Sequence, residues 1–251
     1  MNKADITDYS RFTGLIPAEK PISVYPLSVT QGFQTGDIFT MNGEQALIWH
    51  RGGFAFLFGS YSDSILDDVY DILTDRNSTN DRRFLLISHD IVLRDRFQSC
   101  PDILTEKRYF FSYPGDTADE TQLPEGYIVR DMQPADLHAI TGNVVPLFYW
   151  GDADAFLRDG MCSVVTYEDR VVSWAFSASL CSDMVDIGIE TLPEFRGKGL
   201  ALAASQHLVR RILSEEKRPV WGCYYKNPAS ENLAYRLGFV KESEAFTYKK
   251  K

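Results

Sequence analysis

The stretch from residue 191 to residue 201 joins the end of a predicted strand to a predicted helix through a loop with two glycines. It reads Thr-Leu-Pro-Glu-Phe-Arg-Gly-Lys-Gly-Leu-Ala. Glycines let a backbone approach a ligand closely, and the first N–H groups of a helix lack intrahelical partners at the positive end of its dipole. With Arg196 and Lys198 beside Gly197 and Gly199, this junction can hold a pyrophosphate.

The spacing of these glycines excludes two other kinds of phosphate loop. A Walker loop requires Gly-Lys-Ser or Gly-Lys-Thr, whereas Gly199 follows Lys198, and the Gly-x-Gly-x-x-Gly fingerprint is not completed. Taken alone, the junction also fits an unliganded turn. Gly52 and Gly53 likewise predict a tight turn, because no helix opens after them.

A second motif lies about thirty residues further along the chain. Asn227 precedes a helix predicted over residues 229–237, and Gly238-Phe239 follows that helix. Together with the Arg-x-x-Gly-x-Ala pattern at 196–201, this spacing resembles the GNAT acetyltransferase superfamily. The predicted order of strands and helices over residues 127–248 is similar to that superfamily as well.

A narrower resemblance is to the zwittermicin A resistance type of GNAT protein. It rests on residues 148–152, 172–177 and 186–191 and on the strand with Trp221, and it extends to the first half of the chain. The resemblance implies an α/β (α+β) class: a C-terminal GNAT fold with a mixed, mostly antiparallel central sheet flanked by helices, plus an N-terminal α+β domain.

The resemblance also implies a co-substrate, acetyl-CoA, and no metal. The main chain around Thr191 and Leu192 would pair with the pantetheine arm, and Asn227 would contact it. A plain helix cap is the alternative role for Asn227, and both roles can hold at once. The pyrophosphate would be held by six consecutive residues: Arg196, Gly197, Lys198, Gly199, Leu200 and Ala201.

A primary amine as acceptor requires a base. Its pKa of about 10 means that freeing the lone pair at pH 7 costs about 4 kcal/mol. Glu190, at the end of the central strand beside the expected thioester, is the predicted general base. Asp186, two strand steps earlier on the same face, would relay the proton through water. The alternative for Glu190 is a strand-end carboxylate that accepts backbone N–H bonds.

The residue expected to act as the general acid departs from the superfamily pattern. Many members place a tyrosine four residues before the glycine of Gly-Phe, where its hydroxyl protonates the leaving thiolate. That position is Ala234, and Tyr235 is rotated from it by about 100°. Tyr235 is the candidate acid, and a surface or packing tyrosine is the alternative. A thiol of pKa about 8.5 needs only about 2 kcal/mol of help at pH 7, so the base matters more.

Aromatic residues mark the candidate acceptor side. Phe148, Tyr149 and Trp150 fall in the segment that often lines the acceptor in this superfamily. Trp174 and Trp221 lie on predicted strands and are expected in the core. Aromatic walls with carboxylates such as Asp186 suit a polar molecule that bears an amine, for example an antibiotic-like amine.

A polar linker over residues 115–126 divides the chain. It predicts an α+β domain over residues 1–118 and the GNAT domain over residues 124–251. The first domain alternates strands with helices, so a diverged GNAT-like half is one interpretation of it. Within it, residues 22–29 are predicted to be extended.

Composition narrows the partners. The chain has 26 basic and 35 acidic residues and a net charge of -9, which argues against nucleic acid and anionic membranes as partners. Its polar start and the lack of an 18-residue apolar run predict no leader and no membrane span, hence a cytoplasmic protein. The four cysteines lack Cys-x-x-Cys spacing and are predicted to be buried hydrophobes.

The sequence therefore predicts an N-acetyltransferase, a monomer or homodimer, that moves an acetyl group from acetyl-CoA to a primary amine of a small molecule by direct attack. The alternative is a coenzyme-A-binding sensor or interaction protein with weak or no turnover, which the displaced tyrosine favours.

Overall fold

The computed structural model describes residues 1–74 and 82–251. Within these ranges the chain forms seven α-helices and twelve strands, with 3₁₀ turns between them. The helices are α1 (Val24–Thr30), α2 (Asp63–Leu73), α3 (Ile91–Phe97), α4 (Pro146–Trp150), α5 (Ala153–Asp159), α6 (Leu200–Ser214) and α7 (Pro228–Leu237). The strands are β1 (Asn2–Lys3), β2 (Gly36–Thr40), β3 (Gln45–His50), β4 (Phe54–Gly59), β5 (Leu85–Ser88), β6 (Ile103–Ser112), β7 (Tyr127–Asp131), β8 (Cys162–Tyr167), β9 (Arg170–Leu180), β10 (Met184–Thr191), β11 (Arg218–Tyr224) and β12 (Val240–Lys250).

All twelve strands belong to one sheet, in the order β1-β2-β3-β4-β5-β12-β6-β11-β10-β9-β8-β7. The pairs β4–β5 and β10–β11 are parallel, and the other neighbours are antiparallel. This mixed, mostly antiparallel sheet flanked by helices confirms the predicted fold class.

The last strand of each half lies inside the other half's part of the sheet. β6 pairs with β11, where Phe111 is opposite Trp221, and β12 pairs with β5, where Phe246 is opposite Ser88. β6 and β12 also pair with each other at the centre. Three strand pairings therefore join the two halves, although residues 113–126 between them form neither helix nor strand.

The two halves contain the same types of element in the same order along the chain. The segment β4-α2-β5-α3-β6 is repeated in type by β10-α6-β11-α7-β12. This correspondence favours the interpretation of the first half as a diverged copy. That interpretation, like the domain limits at residues 118 and 124, stays a prediction.

Several local predictions are confirmed. β3 and β4 form a hairpin whose turn places Gly53 at φ 88°, a conformation that suits glycine. β8 and β9 form another, with Glu168 and Asp169 both at positive φ. Trp174 and Trp221 are each 1% exposed and belong to the core. Three of the four cysteines are buried, and Cys100 is partly buried.

The extended segment predicted over residues 22–29 is wrong. Pro21–Ser23 form a 3₁₀ turn, and α1 follows directly. Every residue of α1 is buried, so the helix has no polar face and its sequence shows no helical period. Pro26 is tolerated because it lies in the first turn, where no intrahelical donor is needed.

Gln34, just after α1, connects the first half to β9. Its Nε2 donates to the Ala178 carbonyl at 3.1 Å. Its Oε1 accepts from the Ser179 hydroxyl at 2.9 Å and from the Leu180 backbone N–H at 3.2 Å. Gln34 is only 6% exposed, so these groups have no access to water as a substitute partner.

No helix within residues 1–74 and 82–251 combines the length and the apolar character needed to cross a bilayer.

We expect Gln34→Ala to lower the free energy of unfolding by about 3 kcal/mol. The buried Ala178 carbonyl and Leu180 N–H lose a partner, and the Ser179 hydroxyl is left with the Val24 carbonyl at 3.4 Å. One sheet unites both halves, so unfolding in urea should remain a single transition by circular dichroism and by tryptophan fluorescence. Gln31→Ala is the matched control: Gln31 is exposed and accepts only from the Ser182 N–H at 2.8 Å, so its loss should cost less than about 1 kcal/mol. Equal losses in the two variants would contradict the role of Gln34.

Candidate active site

A cleft opens where β10 and β11 separate. The two parallel strands are paired only at Met184–Arg218, Val185–Pro219 and Asp186–Val220. Beyond Asp186, β10 stays with β9, and beyond Val220, β11 stays with β6. The resulting cleft has a volume of about 710 Å³ and is closed at its sides by the first turn of α6 and by α7.

The glycine loop forms one end of this cleft. Gly197 and Gly199 both have φ of 80°, and Gly199 is the N-cap of α6. A glycine cap offers no side-chain acceptor, so the first N–H groups of this 15-residue helix stay available to a ligand. Leu200 is buried and anchors the helix start, while Ala201 lines the cleft.

The basic side chains near the loop differ from the prediction in part. Arg196 lines the cleft and donates from Nε to the Thr191 carbonyl at 3.1 Å. Lys198 is turned away, because its Nζ donates to the Tyr127 hydroxyl at 3.0 Å. Arg236, which the sequence analysis missed, lines the cleft from α7. Its spacing from Ala229 and Leu233, at i, i+4 and i+7, is the signal that places it on the same helix face.

Of the three other residues predicted at the cofactor, Asn227 and Thr191 line the cleft and Leu192 does not. Asn227 lines the cleft and also caps α7, accepting from the Ser230 N–H at 3.2 Å, so both interpretations fit it. Thr191 lines the cleft as well. The Leu192 N–H, however, donates to the Val172 carbonyl at 3.0 Å and is not available for a ligand.

Glu190 lines the cleft, and its carboxylate holds the loop opposite. Oε2 accepts from the backbone N–H groups of Asn143 and Val144, at 2.9 and 2.7 Å. Gly142 lies so close that a Cβ there would be 2.4 Å from the same oxygen. The strand-end interpretation of Glu190 therefore describes its hydrogen bonds, and its role as a base stays a prediction.

A smaller chamber of about 180 Å³ adjoins the cleft, and both cavities are lined by Val144, Ile189, Asn227 and Ser230. Asp186 lies in this chamber, 4% exposed, and accepts from the Tyr25 hydroxyl at 2.6 Å. The first half therefore supplies part of the wall of a cavity that opens on the second-half cleft.

Burial raises the pKa of Asp186 to about 6, although the Tyr25 hydrogen bond and the nearby charge of Arg108 oppose the shift. Burial and the adjacent Asp186 also raise the pKa of Tyr25, which therefore remains a neutral donor. A buried carboxylate that is mostly ionised at pH 7 and can take up a proton is suited to general-base chemistry.

The three aromatic residues predicted at the acceptor lie in three different places. Tyr149 lines the chamber, whereas Trp150 is 2% exposed and donates its Nε1–H to the Ser177 carbonyl at 2.8 Å in the core. Phe148 lies on the surface beneath the guanidinium of Arg83.

Tyr235, the candidate acid, is 48% exposed and lines neither cavity. Its hydroxyl donates to Glu231 at 3.4 Å, and its ring packs on Phe111. Leu233 and Arg236 take the cleft-facing positions of α7 instead. The acid role of Tyr235 therefore rests on the sequence alone. Over the described ranges, no group of three or more His, Cys, Asp or Glu side chains is arranged to hold a metal ion.

The sequence matches known acetyltransferases. Residues 21–248 match the family described as GNAT acetyltransferase. The chain is 26% identical over 231 residues to the uncharacterized N-acetyltransferase YdfB of Bacillus subtilis, covering 89% of this chain and 81% of that protein.

Solved structures share the fold over nearly the whole chain. A GCN5-related N-acetyltransferase-like protein from Streptococcus suis superposes with a TM-score of 0.74 at 19% identity, covering 98% of this chain and 100% of the other. A putative GNAT acetyltransferase from Novosphingobium aromaticivorans gives 0.63 at 15% identity, covering 94% and 99%. Both halves are therefore included in the shared fold.

The raised pKa of Asp186 predicts how stability varies with pH. Between pH 3.8 and about 6 the folded protein keeps the proton that the unfolded chain has lost, so this contribution is present at low pH and is lost as pH rises through 6. We expect the difference in unfolding free energy between wild type and Asp186→Asn to fall by about 3 kcal/mol from about pH 3.5 to about pH 7.

Asp183→Asn is the control for this measurement. Burial opposes the shift, but the hydrogen bond from Arg218 prevails and lowers the pKa of Asp183. The difference between wild type and this variant should therefore change with pH in the opposite sense, its stabilising part being lost as pH falls. Urea titrations of wild type and both variants at several pH values give the two differences in unfolding free energy as functions of pH. Slopes of the same sign would contradict the raised pKa of Asp186.

Proposed function

Because the chain belongs to the GNAT acetyltransferase family, we propose that it moves an acetyl group from acetyl-CoA to the primary amine of a small molecule. The observation that supports this most directly is the junction of two cavities. A cleft with a glycine loop and a helix start meets a chamber with a buried carboxylate. One cavity suits a phosphate-bearing donor, and the other suits an acceptor that must lose a proton.

The cleft fits coenzyme A in three respects. Arg196, Arg236 and the first N–H groups of α6 can bind the pyrophosphate. The edges of β10 and β11 face each other without pairing beyond Asp186 and Val220, so an extended amide chain can hydrogen-bond between them. Asn227 lies beside both cavities, where the pantetheine arm would end. When bound, acetyl-CoA supplies the activated thioester.

We assign the general base to Asp186. The ammonium form first loses one proton to solvent. The neutral amine nitrogen then bonds to the acetyl carbon, the carbon–sulfur bond breaks with coenzyme A leaving as the thiolate, and the second proton of nitrogen goes to the Asp186 carboxylate. Tyr25 holds one carboxylate oxygen at 2.6 Å and so fixes its orientation. Burial strengthens the base by raising its pKa to about 6, which brings it closer to that of an amine.

Glu190 takes a positioning role in this proposal. Its bonds to the N–H groups of Asn143 and Val144 order the loop over the cleft. The base role predicted for it from the sequence is the alternative that kinetics must separate. No side-chain acid is assigned, since a thiol with a pKa of about 8.5 leaves at pH 7 with little assistance.

The likeness to the zwittermicin A resistance type would make an antibiotic-like amine the acceptor, and it remains a proposal at the level of the family. A sensor that binds coenzyme A without turnover is the other candidate, favoured by the position of Tyr235 outside the cleft. Thiol release with acetyl-CoA over a panel of primary amines separates them, because tight coenzyme A binding without release would support the sensor.

We expect Asp186→Asn to lower kcat by about 100-fold or more with the most active amine of that panel, as loss of a general base does. The limb of the pH–rate profile near pH 6 should disappear in the same variant. Glu190→Gln keeps an acceptor oxygen for the two N–H groups and should lose less than about tenfold. The reverse order of effects would return the base role to Glu190.

The affinity for coenzyme A tests the phosphate contacts. Arg236→Gln should weaken binding by about tenfold, since it removes a charge-assisted contact worth roughly 1.5 kcal/mol. Lys198→Gln is the matched control and should change the dissociation constant less than about threefold, because its Nζ is engaged by Tyr127. Calorimetric titration measures both. A larger loss with Lys198→Gln would support the sequence-based placement of Lys198 at the pyrophosphate.

A further inference from the structure

The acceptor chamber carries opposite charges at two places in its wall. Asp186 contributes a carboxylate from β10, and Arg108 contributes a guanidinium from β6. Among the residues that the structure describes, these two form no ion pair within 4.0 Å, although each lies in the other's field. A cavity therefore separates a base from a fixed cation.

Arg108 has most of its hydrogen-bonding capacity unused. Its Nη2 donates to the Gly222 carbonyl at 2.7 Å, and its Cζ lies 4.9 Å from the ring centre of Phe54. No carboxylate of the described chain lies within ion-pair distance of it. A guanidinium has five N–H donors in a planar fork that matches a carboxylate.

The acidic residue nearest to Arg108 along β6 is bound to other side chains. Glu106, two residues before Arg108, accepts from the Tyr224 hydroxyl and pairs with Lys226 at 3.4 Å and Lys249 at 3.2 Å. Glu106 lines the neighbouring small cavity with Arg108 but not the chamber itself. Arg108 therefore forms no ion pair with any residue that the structure describes, which is unusual for a side chain that lines a confined cavity.

The glycine at position 222 makes room for this arrangement. A Cβ on Gly222 would lie 3.2 Å from both Nε and Nη2 of Arg108. The guanidinium can thus lie flat across β11 and reach the chamber. A second guanidinium, that of Arg83, lies 4.8 Å from the centre of the same Phe54 ring and lines a 110 Å³ cavity together with Arg108. Two positive charges therefore lie close together beside the ring of Phe54.

The volume of the chamber restricts the size of the acceptor that it can hold. The chamber holds about 180 Å³, well below the roughly 300–1,000 Å³ of pockets for drug-sized ligands. The Tyr149 hydroxyl, at its wall, has no hydrogen-bond partner within the described parts of the chain and can bind a polar group of a small molecule. A second cation placed next to Arg108 would be repelled, so a plain polyamine is disfavoured.

We propose that the acceptor is a small zwitterion of the amino acid class, held with its amine toward Asp186 and its carboxylate on the Arg108 guanidinium. This inference rests on the proposed acetyl transfer and adds the substrate class. Arg108 acts as a specificity-determining residue: it neutralises the acceptor's carboxylate and thereby directs the amine toward the cleft. The acetyl group is transferred by the same steps as in the proposed reaction.

The test compares each amino acid with its own amide, for example alanine with alaninamide, in thiol release from acetyl-CoA. We expect at least one free amino acid to exceed its amide by about 30-fold in kcat/KM, as a charge-assisted pair provides. Arg108→Gln should reduce that ratio to under about threefold, mainly by raising KM for the acid. Arg158→Gln, an exposed guanidinium paired with its neighbour Asp159, is the control and should keep the ratio.

Amides or plain amines that react as well as the acids would overturn the inference and leave the proposed transfer intact. A proportional loss for acid and amide in Arg108→Gln would overturn it too, since Arg108 would then be structural. If no compound releases thiol, the proposed transfer fails, and the second measurement decides the inference. That measurement is the rise in melting temperature on adding each amino acid to the coenzyme-A-bound protein: a rise seen in wild type and lost in Arg108→Gln supports it, and no rise overturns it.

Discussion

Backbone pairing between β10 and β11 stops after three residue pairs, at Asp186 and Val220, and both cavities exist because it stops there. Each strand is paired on its other side, β10 with β9 and β11 with β6, so closing the gap would disturb those ladders. The N–H and C=O groups along the gap need partners, and a ligand can supply them. α6 and α7 begin at its two edges and add their own unpaired N–H groups.

The outer support of β11 comes from the other half of the chain. β6 carries Arg108 into the chamber, and α1 brings Tyr25 against Asp186. The glycine loop and Arg236, by contrast, belong entirely to the second half. The cleft and the chamber are thus built from different parts of the sequence, and they share the wall formed by Val144, Ile189, Asn227 and Ser230.

The features whose position in the fold could be predicted from the sequence are local ones, at the starts of α6 and α7. The glycine loop and Asn227 depend on short spacings within one strand–helix unit, so they are visible without a fold. Arg236 was within reach of the same reasoning through its helical spacing. α1 was not, because a fully buried helix shows no period. Tyr25 and Arg108 reach the chamber only through contacts between residues far apart in sequence, which no short pattern records.

The exchange of β6 and β12 has a consequence for the integrity of the chain. Three antiparallel ladders cross between the halves, whereas the linker over residues 115–126 has no ladder of its own. A break in that linker would leave two fragments that complete each other's sheet, as the subunits of an obligate dimer do, and either fragment alone would expose unpaired strand edges. The two halves therefore interlock like the subunits of such a dimer, and the strand ladders join them independently of the linker.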